Sequence, residues 1–228
     1  MKSLTAPFVL LFAFLAACSG GGGQRASSSP TVGPSVANPI SFPLVGGSKI
    51  LAAKDYTQTV NSNSTSYNGV LMQGNGTYKG SEVIAAAPSS FAQLRTWLRS
   101  LDAKPPTAYQ RLSNGNMDDA RANAGRIGLD FSTFQTTRDG KPVGLLVVVM
   151  DPAVTARKLG PVLGLISRYR NLPDFAKAPI DNQVKQQTGF SVTEALQPQS
   201  PLGMALDSLG EFAHTNQRAI LLLDARKE

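Results

Sequence analysis

Two residues with chemistry of their own occur once each, Cys18 and His214. A lone cysteine excludes an internal disulfide and any multi-cysteine zinc site, and a lone histidine excludes a zinc site built on several imidazoles. His214, in "EFAHTNQ", is therefore the one residue that could activate a nucleophile through an imidazole. Its place at the end of a predicted helix suits a structural role, beside the last carbonyls and the negative end of the helix dipole. A serine hydrolase of the G-x-S-x-G kind needs that turn directly after a strand, and "TGFSVTE" has neither the spacing nor the strand.

Carboxylates are the next resource. Asp118-Asp119 follow Asn114 and Asn116 in "SNGNMDDARANAGR". A calcium loop wants alternating oxygen ligands, a glycine at the bend and a distal glutamate. The alternation here is partial and the glutamate is missing, so the pair reads as helix-capping acids. A glycosidase-type pair could come from any two of the 15 acids, and sequence does not single out two carboxyls about 5–10 Å apart. "GNGTYKG" lacks the dinucleotide-binding fingerprint and no helix follows it at once, and Gly46-Gly47 reads as a bend before the first strand. Trp97, on the border of its helix's apolar face, reads as a core anchor. No motif calls for a metal or a cofactor.

The formal charge is +7, with basic residues scattered apart from short groups such as Arg157-Lys158 and Arg168/Arg170. Such a surface suits an anionic environment. Nucleic-acid binding would need a basic run interleaved with aromatics, and none is present.

The amino-terminal stretch says most about place. Lys2 supplies a positive start, and Ala6 to Leu15 is apolar apart from Pro7. That is the length of a signal-peptide core and falls short of the about 20 residues a spanning helix needs. Small residues Ala16 and Ala17 then precede Cys18. Leu15-Ala16-Ala17-Cys18 resembles the lipobox of bacterial lipoproteins. The resemblance covers only the leader. It implies signal-peptidase recognition of Leu15, Ala16 and Ala17, cleavage before Cys18, a diacylglyceryl thioether on its sulfur and acylation of the new amino group. Ser19, where an aspartate would favour inner-membrane retention, implies the outer membrane. A second likeness is looser. Cys18 followed by Gly20 to Gly23, with Gly74-Asn75-Gly76-Thr77-Tyr78-Lys79-Gly80, is similar to transferrin-binding-protein-like surface lipoproteins, which are rich in β-barrel and bind extracellular proteins. The chain departs from that pattern after residue 88.

These residues divide the chain into a signal peptide at 1–17, a lipidated Gly/Ser/Pro tether at 18–39 and one globular domain at 40–228. The tether has too little apolar surface to offset its ordering entropy, and about 20 flexible residues span roughly 25 Å. In the domain, 67–86 reads as a hairpin turning at Gly74-Asn75-Gly76. Phe91, Leu94, Leu98 and Leu101 then define a helix capped by Ser89 or Ser90, with Arg95 and Arg99 on its wet face. The stretch 104–125 reads as a loop. A second hairpin has arms at 126–137 and 142–150 joined by Arg138-Asp139-Gly140-Lys141, and its apolar arm "VGLLVVVM" reads as a central strand. Asp151-Pro152 starts a helix that should break or kink near Gly160-Pro161 and end around Arg170. Ser191 and Glu194 fit a capping box, Pro201 opens a helix, and 218–226 is a last strand. Strand, turn, strand, proline and helix thus occur twice, a pattern that fits either a ββα duplication or a chance likeness of common motifs.

The fold expected is α+β, an antiparallel hairpin-containing sheet packed by several amphipathic helices. The function expected is that of a membrane-anchored envelope lipoprotein, facing the periplasm or the exterior. It would bind or assemble with a protein or envelope ligand, its partners being the membrane and a protein of the envelope, with no nucleic acid. The competing expectation is a cell-envelope hydrolase using scattered carboxylates.

Overall fold

A run such as "VGLLVVVM" needs cover on both faces, and the fold supplies it. The computed structural model describes residues 37–60, 75–112, 117–169, 171–188, 191–192, 200–212 and 215–228, all within the compact unit Ser35–Glu228. Its strands are β1 (Lys49–Val60), β2 (Gly76–Ala87), β3 (Gln110–Leu112), β4 (Leu129–Arg138), β5 (Lys141–Met150) and β6 (Arg218–Lys227). They form one sheet in the order β1-β2-β6-β5-β4-β3, with every neighbouring pair antiparallel. Helices α1 (Phe91–Ala103), α2 (Met117–Arg126), α3 (Pro152–Tyr169), α4 (Asp174–Thr188) and α5 (Pro201–Ser208), with a 3-10 turn at Leu209–Phe212, complete an α+β fold.

The two-residue period of β5 sends its side chains into two separate cores. Leu146, Val148 and Met150 join Leu159 and Val162 of α3, Val184 of α4 and Leu202 of α5. Leu145, Val147 and Val149 join Leu94 and Leu98 of α1 with Ile40 and Phe42 from the segment before β1. Full burial of one such side chain is worth about 1.5–3 kcal/mol. The β4–β5 hairpin turns at Asp139 and Gly140, both with positive φ of 52° and 73°. That geometry matches the strand twist, and Asp-Gly tolerates it. Ser90 caps α1 in a full capping box, its side chain accepting from Gln93 N while the Gln93 side chain accepts from Ser90 N.

Three expectations are corrected. The partner of β2 is Lys49–Val60, so the first hairpin's leading arm lies well before the stretch 67–73 assigned to it. The other edge of β2 is taken by β6, so no place in the sheet remains beside it. Residues 61–74, including Gly74, lie outside the described residues. Next, the supposed loop 104–125 contains β3 and most of α2. Its low apolar content hid both: among the described side chains of α2, only Arg121 and Ala124 are fully buried. Finally, α3 runs unbroken through Pro161. Pro161 and the residues around Arg157, whose carbonyl it leaves without an amide, are exposed, so water can satisfy that group. The proposed capping box at Ser191 involves Glu194, which lies outside the described residues.

The two ββα units take symmetric places. β2 and β5 flank β6 and are both antiparallel to it, so they point the same way. α1 covers one face and α3 the other. A half-turn about β6 therefore carries β1-β2-α1 onto the positions of β4-β5-α3.

Candidate functional site

α1 and the segment around Ile40 cover only part of their face of the sheet. The uncovered end forms an open groove of about 490 Å³ across β1, β2, β6 and the β4–β5 turn, floored by Asp224. Asp224 interrupts the apolar run of β6 and is 2% exposed. Its Oδ1 accepts Ser81 N at 2.7 Å, where a ladder bond would otherwise be expected. The β2–β6 pairing indeed skips from Lys79↔Arg226 to Glu82↔Leu223 without changing register. Gly80 makes this possible, since a Cβ there would lie 1.9 Å from the Asp224 carbonyl oxygen. The Tyr56 hydroxyl donates to that carbonyl at 2.6 Å. Burial pushes the Tyr56 phenol well above its ordinary pKa, with the Asp224 and Glu82 charges adding to the effect.

The groove is amphoteric and largely paired. Arg138 Nη2 lies 3.1 Å from Asp224 Oδ2, and Arg226 Nη1 donates to Asp139 at 3.1 Å. Ser81 Oγ donates to Asp55 at 2.7 Å, and Lys79 pairs with Glu228. Asp224 Oδ2 is enclosed and accepts no aligned hydrogen bond, although Arg138 is close. It is thus an acceptor with capacity to spare, facing a groove lined by donors and acceptors. Carboxylates held against guanidinium groups are suited to positioning a polar ligand, and less to handing over a proton.

A second cluster lies on the same face, where α1 meets β4. Asp130, fully buried, accepts from Arg121 Nε at 2.7 Å and from Arg95 and Arg99 Nε at 3.3 Å each. Asp102 accepts from Arg121 Nη1 at 2.5 Å and from Ser132 Oγ at 2.6 Å, with Arg111 Nε 3.5 Å away. Burial works against the Arg121 charge. The hydrogen bonds and fields of Asp130 and Asp102 outweigh it, leaving the guanidinium pKa above its ordinary value.

Few residues singled out from sequence fall in these places. Cys18, Leu15, Ala16, Ala17, His214, Asn114 and Asn116 lie outside the described residues. Asp119 is an exposed residue in the first turn of α2 and is not one of the carboxylates of either cluster. Trp97 packs against the α1-side core. Arg95 and Arg99, assigned to a wet face, are half-exposed and reach back to Asp130. Asp130 and Asp224 were missed, yet each left a trace, a carboxylate inside "GLDFSTF" and "LLLDAR". Among the described residues no group of three potential ligands is placed to hold a metal. Comparison with protein-family models, curated proteins and solved structures gives no match.

Proposed function

We propose that the chain is a lipid-anchored envelope lipoprotein whose domain binds a protein or envelope ligand through the Asp224 groove. The observation that carries the binding role is the groove itself, open, about 490 Å³, with a buried carboxylate whose Oδ2 accepts no aligned hydrogen bond. Its polar groups are ordered by Ser81, Tyr56 and Arg138 before any ligand arrives, which lowers the ordering cost of binding. The lipobox-like Leu15-Ala16-Ala17-Cys18 supports the anchor, with outer-membrane placement following from Ser19. Several acyl chains, each gaining about 0.8 kcal/mol per buried CH₂, would hold the molecule stably.

A photo-crosslinking residue at Thr57, on the groove wall, tests the reading in native envelopes. One specific adduct is expected, lost in Asp224→Asn. Absence of any adduct, together with turnover of peptidoglycan fragments by the full chain, overturns it in favour of a hydrolase. The anchor is checked separately: Cys18→Ser should leave an uncleaved precursor without fatty-acid label, and normal labelling removes it.

A further inference from the structure

Asp130 and Asp102 between them draw four guanidinium groups, and the count is lopsided. Both Asp130 oxygens are fully used: Oδ1 by Arg121 Nε and Phe131 N, and Oδ2 by Arg95 and Arg99. Asp102 is occupied by Arg121, Ser132 and Arg111. Arg121 bridges the two carboxylates, so all the arginines gather around one place.

The donors are not used up. An arginine that merely straps two elements together does best as a two-pronged fork on one carboxylate. Here Arg95 and Arg99 each reach the same oxygen through Nε alone. Among the described residues no hydrogen bond is made by their Nη nitrogens or by those of Arg111, and the Arg95 guanidinium lies 5.9 Å from the Phe91 ring centroid. These side chains are 44%, 47% and 35% exposed, so their free ends open to solvent. Arg121 Nη2 is enclosed and also lacks an acceptor. Among the described residues the cluster is short of acceptors from its buried floor to its rim, and its four arginines exceed its two carboxylates by two charges.

We infer that Arg95, Arg99 and Arg111 form the rim of a binding site for a phosphate group. Three separate guanidinium ends can each serve a different oxygen of a tetrahedral anion, whereas a carboxylate offers two oxygens in one plane. Arg121 and the two aspartates act as the base that holds the rim in place. This site lies apart from the Asp224 groove in residues and in charge, since the groove's cations are already paired.

Arginine Nε–H resonances of the full chain in neutral micelles test the inference. Glycerol 3-phosphate is added in solution in one arm, and phosphatidylglycerol is doped into the micelles in the other. Either addition should shift the Arg95, Arg99 and Arg111 signals saturably. In R95Q/R99Q, followed on Arg111, affinity should fall about tenfold or more, in a protein that keeps its folded amide spectrum although the loss of both donors to Asp130 Oδ2 lowers its melting temperature. R157Q, which alters an exposed arginine of α3, should bind as the parent does. A response to glycerol 3-phosphate identifies a soluble phosphate as sufficient, and a response to the doped micelles alone identifies a headgroup. The inference is overturned by no saturable shift in either arm, by equal affinity for acetate, or by an equal loss in R157Q.

Discussion

Asp130 and Arg121 are almost completely buried, and each is the other's main compensation at 2.7 Å. Removing one partner of such a pair strands a charge in low dielectric, which costs about 3–5 kcal/mol. Asp130→Ala should therefore lower the unfolding free energy by that order in urea titration. Arg95→Gln should cost at most about 1 kcal/mol, because that side chain is half in solvent and its ion pair is screened. Equal costs for the two would show that the buried pair is not the anchor of the cluster. At the groove, Tyr56→Phe deletes the hydrogen bond to the Asp224 carbonyl. About 1–3 kcal/mol should be lost for an acceptor left without its donor, and a change in groove crosslinking should accompany it. Reading these roles from sequence was limited by distance along the chain. Tyr56 and Asp224 are 168 residues apart, and no spacing rule links them.

Elements were legible where period or turn chemistry was strong. The β4–β5 hairpin announced itself through Asp139-Gly140 and the apolar run of β5, and α1 through its four apolar positions and Ser90. α4 was not legible, and β1 was legible only at its start, where Gly46-Gly47 reads as a bend before a strand, for a common reason. β1 is an edge strand, "KILAAKDYTQTV", paired on one side and largely exposed, so its alternation is weak. α4 has Pro179 inside it and, among its described side chains, buries only Val184 fully, leaving Phe175 84% exposed. Two substitutions test the elements that hold the sites. Ser90→Ala removes the α1 cap and should cost about 1 kcal/mol, measured by thermal unfolding; no loss would mean the box is not formed in solution. Gly80→Ala is a harsher change. The new Cβ meets backbone and not a flexible side-chain end, so β2 and β6 must separate locally. A loss of about 1–3 kcal/mol is expected from such overpacking, with amide exchange faster at Ser81 than at Val83. Uniform exchange along β2 would contradict the close approach.

At the scale of the molecule, the α+β class and its single antiparallel sheet followed from segregated hairpins and helices, while the strand order did not. β6 closes the sheet from the far end of the chain, inserting between β2 and β5. That central placement also leads to an expected loss of stability in alkali. Tyr78 lies on β2 beside β6, Tyr56 reaches β6 from β1 through the Asp224 carbonyl, and Tyr109 packs on the opposite face. Burial raises the phenol pKa of all three above 10.0. A raised pKa means the folded state keeps a proton that the unfolded chain releases. Stability is then fully present below the ordinary phenol value and falls as pH rises past it. Lys54, raised by its hydrogen bond to Glu82, acts in the same direction but is largely exposed and adds little. Urea midpoints should therefore hold steady up to about pH 9 and decline above about pH 10. Tyr56→Phe should make the decline shallower by about 1.4 kcal/mol per pH unit, the slope of one proton. Parallel profiles for the two proteins would show that Tyr56 keeps its proton no more tightly in the folded sheet than in the open chain.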